Sequence, residues 1–355
     1  TAGTSAGSSI MSAHVAIACG GTGGHFFPGV AVARELQQSG ARVTLVVSEK
    51  AVDQQAMATV PDLPHWRVPA VGFTMRHPLR FLLGLRAAMK CVRRHFESDP
   101  PQAVLAMGGF TAAAPIWTGR RMGAATFLHE SNAIPGRANR LLARSADEIF
   151  VGFEAATQYF RGCATVTGTP VRAAFRKQSS TNNEPLLLVT GGSQGARAIN
   201  RLVVDAKLTD LPILHICGEH DLDEVKTAYA KCSAQAEIHA FYGDMSSALA
   251  RASLVISRAG ASSLAELAAA RVPAILIPLP NAVDDHQRAN ARAAGQSGGA
   301  IVLEQDEIHP ADFSKLVRGL MDDPVRLKKM AKAIRALDAP DSARHIAGRI
   351  LERLG

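Results

Sequence analysis

Short apolar runs alternate along the chain with longer amphipathic stretches, a pattern typical of buried parallel strands separated by helices. In the first half, the pattern predicts strands at residues 14–19, 43–47, 103–107, 125–129 and 148–151, and helices at 28–38 and 79–96. In the second half, it predicts strands at residues 186–190, 213–217, 236–241, 254–257 and 274–278, and helices at 198–206, 261–270 and 342–354. This alternation predicts an α/β fold.

Both halves open with the same design, a strand that runs into a glycine-rich loop and then into a helix. The first loop is Gly-Gly-Thr-Gly-Gly at residues 20–24, and the second is Gly-Gly-Ser-Gln-Gly at residues 191–195. Doubly wound α/β domains begin in this way, so the repetition predicts two Rossmann-like domains in tandem. We expect an N-terminal domain of residues 11–171 plus 340–355 and a C-terminal domain of residues 172–339.

The composition is that of a globular chain. Its 355 residues are 47% hydrophobic and 20% charged, which argues against disorder and suffices for two cores. The five cysteines are scattered, without a CxxC pair, so we expect reduced, buried thiols in a cytoplasmic protein and no zinc site. No apolar run is long enough to cross a bilayer. Residues 1–10 lack the basic start and apolar core of a secretory signal and are expected to be a disordered tail or a cloning remnant.

The net charge of +8 permits an anionic partner, and the distribution of the charge along the chain indicates which kind of partner is favoured. Residues 63–96 contain no Asp or Glu, and their Lys and Arg side chains interleave with apolar ones, as in proteins that bind an anionic bilayer. The predicted membrane patch consists of Met75, Leu79, Arg80, Phe81 and Trp117. Leu82, Leu85, Met89 and Val92 recur at helical spacing and are predicted to be core. A solvated basic helix face explains the charges equally well, whereas nucleic acid is disfavoured because no known binding module is present.

The first glycine loop continues into His25, whose titratable imidazole could face a substrate bound at the loop. Glycines let a ligand approach the main chain, and the following helix directs N–H groups and partial positive charge at it. The spacing is not a GxGxxG dinucleotide fingerprint and no Walker lysine follows, although Glu49 after the next strand keeps a weak dinucleotide alternative open. A histidine that only caps or packs at the helix start is the less favoured interpretation of His25.

Three segments of the second half follow predicted strands and carry groups suited to a nucleotide sugar. Ser193 and the N–H groups of its loop suit a phosphate, although the loop alone could be a simple tight turn. Ser262 and Ser263 stand at a predicted helix start, and Glu266, one turn later, can accept both hydroxyls of a ribose unless it is only a solvated helix face. Residues 284–290 offer polar side chains to sugar hydroxyls, although a solvated loop explains that segment alone better.

Seven motifs together resemble the MurG family of bacterial transferases, which make lipid II from lipid I and UDP-N-acetylglucosamine. The motifs are GGTGGHFFPG (20–29), GGF (108–110), HESNAIPG (129–136), GTPVR (168–172), GGSQGARAIN (191–200), SRAGASSLAEL (257–267) and DHQRANA (285–291). They occur in the family's order across nearly the whole chain. Their combination is specific, whereas a single glycine loop is not.

The resemblance implies the GT-B fold, in which the active site lies in the cleft between the two Rossmann-like domains and the donor binds mainly to the second. It also implies an inverting, single-displacement transfer of N-acetylglucosamine to the muramoyl 4-hydroxyl, with a β-1,4 bond in the product. We expect that no protein-bound metal or other cofactor is required and that any Mg²⁺ acts through the donor diphosphate. The triplet Asp221-Leu-Asp223 is interpreted as a polar helix start rather than a metal clamp.

The resemblance also implies a set of site residues, motif by motif. For the donor, these are Arg172 and Tyr242 near the uracil, Ser193, Ser262 and Ser263 at the diphosphate, Glu266 at the ribose, and Gln287 and Asn290 at the sugar. In the first domain, Thr22, Gly23 and Gly24 are implied to reach the donor, and His25 and Asn132 to lie where donor sugar and acceptor meet, with His25 as the candidate base. The chain departs from the family's usual residues at Phe110, Ser131 and His286, which affects individual contacts.

The implied partners are UDP-N-acetylglucosamine, lipid I (an undecaprenyl-linked muramoyl peptide) and an anionic membrane surface, at the cytoplasmic face of the bacterial cell membrane. Three alternatives stay open at the level of sequence. Another GT-B transferase would use a different lipid acceptor. A UDP-N-acetylglucosamine 2-epimerase on the same fold would need further carboxylates in the cleft and no membrane patch. A nucleotide-sugar-binding module would bind the donor without turnover.

Overall fold

The computed structural model describes residues 13–21, 23–69, 78–161, 164–177, 185–192, 195–232, 235–280 and 282–355. The chain forms two compact units, one made of residues 1–172 with 339–355 and the other of residues 173–338. Several positions singled out by the sequence lie outside the described residues, namely residues 1–10, Thr22, Met75, Cys163 and Ser193.

The first unit is a parallel sheet of seven strands covered by helices. Its strands are β1 (His14–Ala18), β2 (Arg42–Ser48), β3 (His65–Val68), β4 (Ala103–Ala106), β5 (Ala125–Glu130), β6 (Glu148–Val151) and β7 (Ala164–Val166). The helices between them are α1 (Gly23–Gln38), α2 (Ala51–Met57), α3 (Pro78–Ser98), α4 (Ala113–Arg121) and α5 (Arg137–Leu142). The strand order is β3-β2-β1-β4-β5-β6-β7, so the chain winds outward in both directions from β1 and β4.

Strand β1 shows why this sheet is buried on both faces. Val15 and Ile17 pack into the layer that contains α1 and α2, whereas Ala16 and Ala18 pack into the layer that contains α3 and α4. All five of its residues are buried, as expected for a central parallel strand with helices on each side.

Two helices of this unit differ from their predictions. Helix α1 begins at Gly23, five residues before the predicted start at Pro28, so the proline lies inside the helix although prolines favour the first position. In α3, the prediction that Leu82 is core is wrong, because Leu82 is 51% exposed. The packed face continues from Leu85 to Phe81, four residues earlier, and not to Leu82, three residues earlier. Helical spacing alone permits either continuation.

The second unit repeats the design with six parallel strands. Its strands are β8 (Leu187–Thr190), β9 (Ile213–Ile216), β10 (Ala236–His239), β11 (Leu254–Ser257), β12 (Ala274–Leu276) and β13 (Ala300–Val302). Its helices are α6 (Ala174–Lys177), α7 (Arg197–Asp205), α8 (Leu222–Lys231), α9 (Met245–Arg251), α10 (Ala261–Ala270), α11 (His286–Gln296), α12 (Pro310–Met321) and α13 (Pro324–Ile334). The strand order is β10-β9-β8-β11-β12-β13. The predicted fold class, two Rossmann-like doubly wound α/β domains, is therefore confirmed.

The last helix, α14 (Ser342–Leu354), returns to the first unit and packs along α1. Its Ile346 and Ile350 are fully buried in the layer that α1 and α2 form on the sheet. The chain enters α14 past Gly168, where a side chain would overlap Ala339, and the Ser342 hydroxyl donates to the Gly168 carbonyl at 3.0 Å. The first unit is thus completed by residues that follow the second one in sequence.

The cysteines agree with the predicted burial only in part. Cys19 and Cys217, which directly follow central strands, are buried as predicted. Cys91 is half-buried on α3, and Cys232 is exposed where α8 ends. For these two thiols the prediction of burial is wrong, because they lie on or beyond surface helices and not at the sheet.

Candidate functional site

Each sheet has one place where neighbouring strands send their loops to opposite sides, the position at which open α/β sheets bind ligands. In the first unit it lies between β1 and β4, because β2 pairs with the other edge of β1. In the second unit it lies between β8 and β11, because β9 pairs with the other edge of β8. Both glycine loops lie at these positions.

A buried carboxylate holds the first glycine loop. Asp53 of α2 is fully buried, and its two oxygens accept from the Gly21 N–H at 3.0 and 2.8 Å. The same group accepts from the N–H and the hydroxyl of Ser48, at the end of β2, at 2.9 and 2.5 Å. A side chain at Gly20 would lie 2.5 Å from the Ser48 nitrogen, so only glycine fits there. In a dinucleotide-binding domain, the end of β2 holds a ribose of the cofactor. Here the end of β2 is bonded through Asp53 to the glycine loop instead, which argues against the dinucleotide alternative.

His25 is half-buried in the first turn of α1 and lies against the main chain that follows β4. A Cβ at Gly108 would be 2.9 Å from His25 Nε2, and one at Gly109 would be 3.4 Å from its Cε1. Both glycines have positive φ, 120° and 76°, so a side chain at either position would be strained, and one at Gly108 would also be crowded. Main chain on one side therefore fixes the place of the imidazole.

Glu130, the last residue of β5, organises the loop that carries Asn132. Its side chain is buried, and its Oε1 accepts from the N–H and the amide of Asn132 at 2.8 and 2.9 Å. Its Oε2 accepts from the Gly136 N–H at 3.1 Å and from the Asn139 amide at 2.9 Å. Burial raises the pKa of Glu130, and these four hydrogen bonds oppose that shift. With four N–H donors around it, the carboxylate acts as an acceptor that fixes the loop.

Asn139 connects this carboxylate to the surroundings of His25. Its amide nitrogen lies 3.2 Å from the position that a Cβ of Gly108 would occupy, which is also the position 2.9 Å from His25 Nε2. It donates to Glu130 and, at 3.3 Å, to the His129 carbonyl. The loop that carries Asn132 and the imidazole of His25 therefore lie on neighbouring sides of Gly108, and Asn139 is a residue that the sequence motifs did not indicate.

The second glycine loop is packed as tightly as the first. A side chain at Gly191 would overlap the Ala196 nitrogen, and one at Gly195 would overlap the carbonyl oxygen of Cys217. Gly192 and Gly195 also have positive φ, 82° and 72°. The described part of the loop therefore requires glycine at these positions, and α7 begins two residues later with N–H groups suited to an anion.

Three of the residues predicted to contact the ribose and the diphosphate, Ser262, Ser263 and Glu266, lie together in the first two turns of α10. Gly260 precedes the helix, and Ser262 and Ser263 are half-buried in its first turn. Glu266 follows one turn later and is also half-buried. The first-turn N–H groups of a helix have no acceptor within the helix, so this end favours negative charge.

Side chains on either side of α10 in sequence hold the loops that follow β11 and β12. Arg258 donates to two carbonyls of the loop after β12 at 2.9 and 3.2 Å. Asn290 is fully buried and donates to the Ala259 carbonyl at 3.1 Å, while the Gln287 amide oxygen accepts from the Leu279 N–H at 3.0 Å. Gln287 and Asn290 thus support the loops here, and their contact with a donor sugar stays a prediction.

The two residues predicted near the uracil have local partners. The guanidinium of Arg172 lies 4.0 Å from the centre of the Phe27 ring, a cation–π contact within the first unit. Tyr242, half-buried after β10, packs edge-on against His239 with ring centres 5.1 Å apart. Their uracil contacts also stay predictions.

The predicted membrane patch is only partly exposed. Phe81 and Trp117 are half-buried against the core of the first unit, and Leu79 and Arg80 lie in the first turn of α3. The apolar side chains that α3 exposes are those of Leu82 and Leu83, 51% and 65% exposed. Exposed cations on the same helix are Arg86, Lys90, Arg93 and Arg94. The apolar and basic character predicted for this surface is therefore present, on partly different residues.

The carboxylate of Asp221 makes hydrogen bonds within the second unit. Asp221 precedes α8 as predicted, and its carboxylate accepts from Arg197 Nε at 3.0 Å and from the Asn200 amide at 2.8 Å. Among the described residues, no three His, Cys, Asp or Glu side chains gather as a metal site. In the same parts of the chain, every helix is too short or too polar to span a bilayer.

Two buried histidines predict acid sensitivity. Burial lowers the pKa of His129 and of His215 to about 4, from 6.5 when unfolded. Above pH 6.5 both are neutral in either state. As the pH falls from 6.5 towards 4, only the unfolded chain gains these protons, so the free energy of unfolding should fall by about 1.4 kcal/mol per pH unit for each histidine. Urea denaturation at pH 7.5, 6.5 and 5.5 measures this fall in the free energy of unfolding. As a control, His345→Gln, at an exposed site, should leave the dependence on pH unchanged. A free energy of unfolding that does not vary with pH would contradict the prediction.

Comparison with known proteins identifies the family. Residues 15–151 match the glycosyltransferase family 28 N-terminal domain, and residues 186–346 match the glycosyltransferase family 28 C-terminal domain. A relative from Xanthomonas oryzae pv. oryzae, named UDP-N-acetylglucosamine--N-acetylmuramyl-(pentapeptide) pyrophosphoryl-undecaprenol N-acetylglucosamine transferase, is 37% identical and covers 96% of this chain and 79% of its own. A protein of the same name from Alkalilimnicola ehrlichii is also 37% identical, over 96% of this chain and 99% of its own.

Comparison with solved structures indicates the same family. The crystal structure of Acinetobacter baumannii MurG is similar with a TM-score of 0.73 at 29% identity, and the match covers 96% of this chain and 99% of that one. The family models and this structure together cover both units. The chain belongs to glycosyltransferase family 28.

Proposed function

We propose that this chain transfers N-acetylglucosamine from UDP-N-acetylglucosamine to the muramoyl 4-hydroxyl of undecaprenyl-linked lipid I, and so makes lipid II for peptidoglycan. The observation that carries the proposal is the 37% identity, over 96% of the chain, to transferases named for this reaction. The polar groups at the carboxyl ends of both sheets are of the kinds that such a transfer needs.

The proposed chemistry is one displacement that inverts the anomeric carbon. The acceptor oxygen attacks that carbon while its bond to the UDP oxygen breaks, the hydroxyl proton passes to a base, and UDP leaves with the bonding electron pair. We assign the base to His25, because an imidazole titrates near neutral pH and this one is held against Gly108 and Gly109. Asn132, oriented by Glu130, is assigned to a hydroxyl of a reacting sugar.

The leaving diphosphate gathers negative charge, and main-chain N–H groups are suited to stabilise it. We assign it to Ser193 and its loop and to Ser262 and Ser263 at the start of α10, with Thr22, Gly23 and Gly24 reaching the donor from the first unit. Arg172 and Tyr242 are assigned to the uracil, Glu266 to the ribose, and Gln287 and Asn290 to the sugar. No protein-bound metal enters this scheme, and Mg²⁺ would act only on the diphosphate.

We further propose that the chain works at the cytoplasmic face of the cell membrane as a peripheral protein. The exposed Leu82 and Leu83 beside the cations of α3 support this, because apolar side chains ringed by basic ones favour an anionic bilayer. The acceptor is a lipid, so a surface that approaches the bilayer would also bring the first unit to its substrate.

Release of UDP from UDP-N-acetylglucosamine, with and without a lipid I analogue, tests the proposed function. We expect release only with the acceptor, a disaccharide-linked lipid as product, and faster turnover in anionic than in neutral vesicles. Acceptor-independent loss of UDP or epimerisation of the sugar would overturn the transfer reaction. Binding of UDP-N-acetylglucosamine without turnover would support a binding module instead, and equal rates in both vesicles would overturn the membrane proposal alone.

Glu266→Ala is expected to weaken UDP binding by roughly 1–3 kcal/mol, because a carboxylate that accepts from ribose hydroxyls would be lost. Isothermal titration with UDP measures the change. The matched control is Glu224→Ala, which removes an exposed carboxylate of the same unit that pairs with Arg201 and should leave the affinity unchanged. An unaltered affinity in Glu266→Ala would remove the ribose role.

A further inference from the structure

A series of buried hydrogen bonds lies beneath the second glycine loop, and the proposed chemistry does not use it. It joins Tyr229 of α8, His215 of β9, Asn200 of α7 and Asp221, each of which is more than nine-tenths buried. The Tyr229 hydroxyl is 3.0 Å from His215 Nδ1, and His215 Nε2 is 3.0 Å from the Asn200 amide oxygen. The Asn200 amide nitrogen is in turn 2.8 Å from the Asp221 carboxylate.

The donor and acceptor of every hydrogen bond in the series can be assigned by starting from Asp221. The Asp221 carboxylate and the Cys217 carbonyl can only accept, so the Asn200 amide nitrogen donates to both, at 2.8 and 2.9 Å. The Asn200 amide oxygen must then accept from His215 Nε2, which places the proton of the neutral ring on that nitrogen. His215 Nδ1 is left to accept from the Tyr229 hydroxyl. A single arrangement thus satisfies all four side chains.

The Cys217 carbonyl connects this series to the glycine loop. Cys217 follows β9 directly, and its oxygen lies where a side chain on Gly195 would be, so the loop's last glycine rests against it. The Asn200 amide also donates to this carbonyl, at 2.9 Å. The place of the carbonyl therefore limits where the main chain of the loop can lie.

We propose that His215 is a positioning residue for the diphosphate-binding loop: it orients Asn200, which holds the Cys217 carbonyl and through it the main chain at Gly195, where the loop ends. This inference rests on the proposed function, because that function assigns the diphosphate to this loop. It also explains why a histidine stands in the middle of a fully buried strand, where an apolar side chain would cost less to bury. The ring supplies the one donor that the Asn200 oxygen requires.

The test compares UDP binding, by titration calorimetry, across three variants. His215→Leu fills the space without a donor and is expected to raise the Kd for UDP about tenfold and the donor KM in parallel, with the acceptor KM unchanged. His215→Gln can present an amide N–H near the Nε2 position and is expected to stay within about twofold of the unaltered chain. Val317→Ala, in the fully buried part of α12 within the same core, destabilises the unit without touching this series and should bind UDP normally.

Three results would overturn the inference: normal UDP affinity in folded His215→Leu, an equal loss in His215→Gln, or an equal loss in Val317→Ala. If His215→Leu does not fold, His215→Asn takes its place, since its shorter amide cannot reach Asn200, and it should bind UDP more weakly than His215→Gln. Equal affinity of the Asn and Gln variants would then overturn the inference. Failure of the unaltered chain to bind UDP would instead defeat the proposed function.

Discussion

Replacing His25 with alanine is expected to lower kcat about a hundredfold or more while the Kd for UDP changes less than about twofold. The imidazole lies 2.9 Å from the position of a Gly108 Cβ, so it is held by main chain and its removal should leave the surrounding wall intact. If His25 takes the acceptor proton, its loss removes an interaction made only as the reaction proceeds. Steady-state turnover with a lipid I analogue and titration with UDP measure the two quantities.

Two controls sharpen this result. His345→Ala removes an exposed histidine of the same unit and should leave kcat unchanged. Added imidazole should restore part of the turnover of His25→Ala, because the vacated space borders two glycines, and should not affect the unaltered chain. Near-normal turnover of His25→Ala would remove His25 as the base, and a large loss of UDP affinity would give it a binding role instead.

Glu130→Ala is expected to lower the free energy of unfolding by about 3 kcal/mol or more and to reduce turnover in whatever fraction stays folded. Four N–H groups, from Asn132, Gly136 and Asn139, would lose their buried acceptor. The loop that presents Asn132 would lose its orientation as a consequence. Urea denaturation measures the stability, and kcat at a temperature where the variant is folded measures the second effect.

The matched controls are a charge removed nearby and a near-isosteric change at the same site. Glu148→Ala, on the neighbouring strand β6, breaks a surface ion pair with Arg349 and should cost less than about 1 kcal/mol. Glu130→Gln should behave almost as badly as Glu130→Ala, because its amide NH₂ would face N–H donors. If Glu130→Gln is as stable and active as the unaltered chain, the four-acceptor account of this carboxylate is wrong.

The apolar pattern was sufficient for the fold class because central parallel strands are buried on both faces. Strands β6 and β11 and helices α10 and α14 have the predicted bounds. The pattern did not predict the edge strands β3 and β13. Strand β3 contains His65, Trp66 and Arg67 and makes no apolar run, whereas β13 (Ala300–Val302) is apolar but only three residues long. The burial of Phe81 in place of Leu82 depends on packing that helical spacing does not decide.

The sequence named the groups that could meet a ligand better than the groups that support them. His25 and Asn132 stand in glycine-rich or polar motifs after strands, which is a recognisable pattern. Asp53, Glu130 and His215 make contacts with residues 2 to 32 positions away in sequence, and most of these contacts are visible only in the folded chain. For Glu130 and His215, the one available indication was an acidic or imidazole side chain at the end of, or inside, an otherwise apolar strand, where burial without a partner would be costly. Asp53 lies in helix α2 and had no such indication.

The position of α14 bears on how the chain folds as it is synthesised. The second unit is continuous in sequence, so all of its residues leave the ribosome before α14 does. The core of the first unit cannot be completed until α14 has been synthesised, because Ile346 and Ile350 fill the layer beside α1. An exposed groove on α1 would therefore persist through nearly the whole of translation, and a chaperone that binds apolar surfaces would have its longest opportunity there.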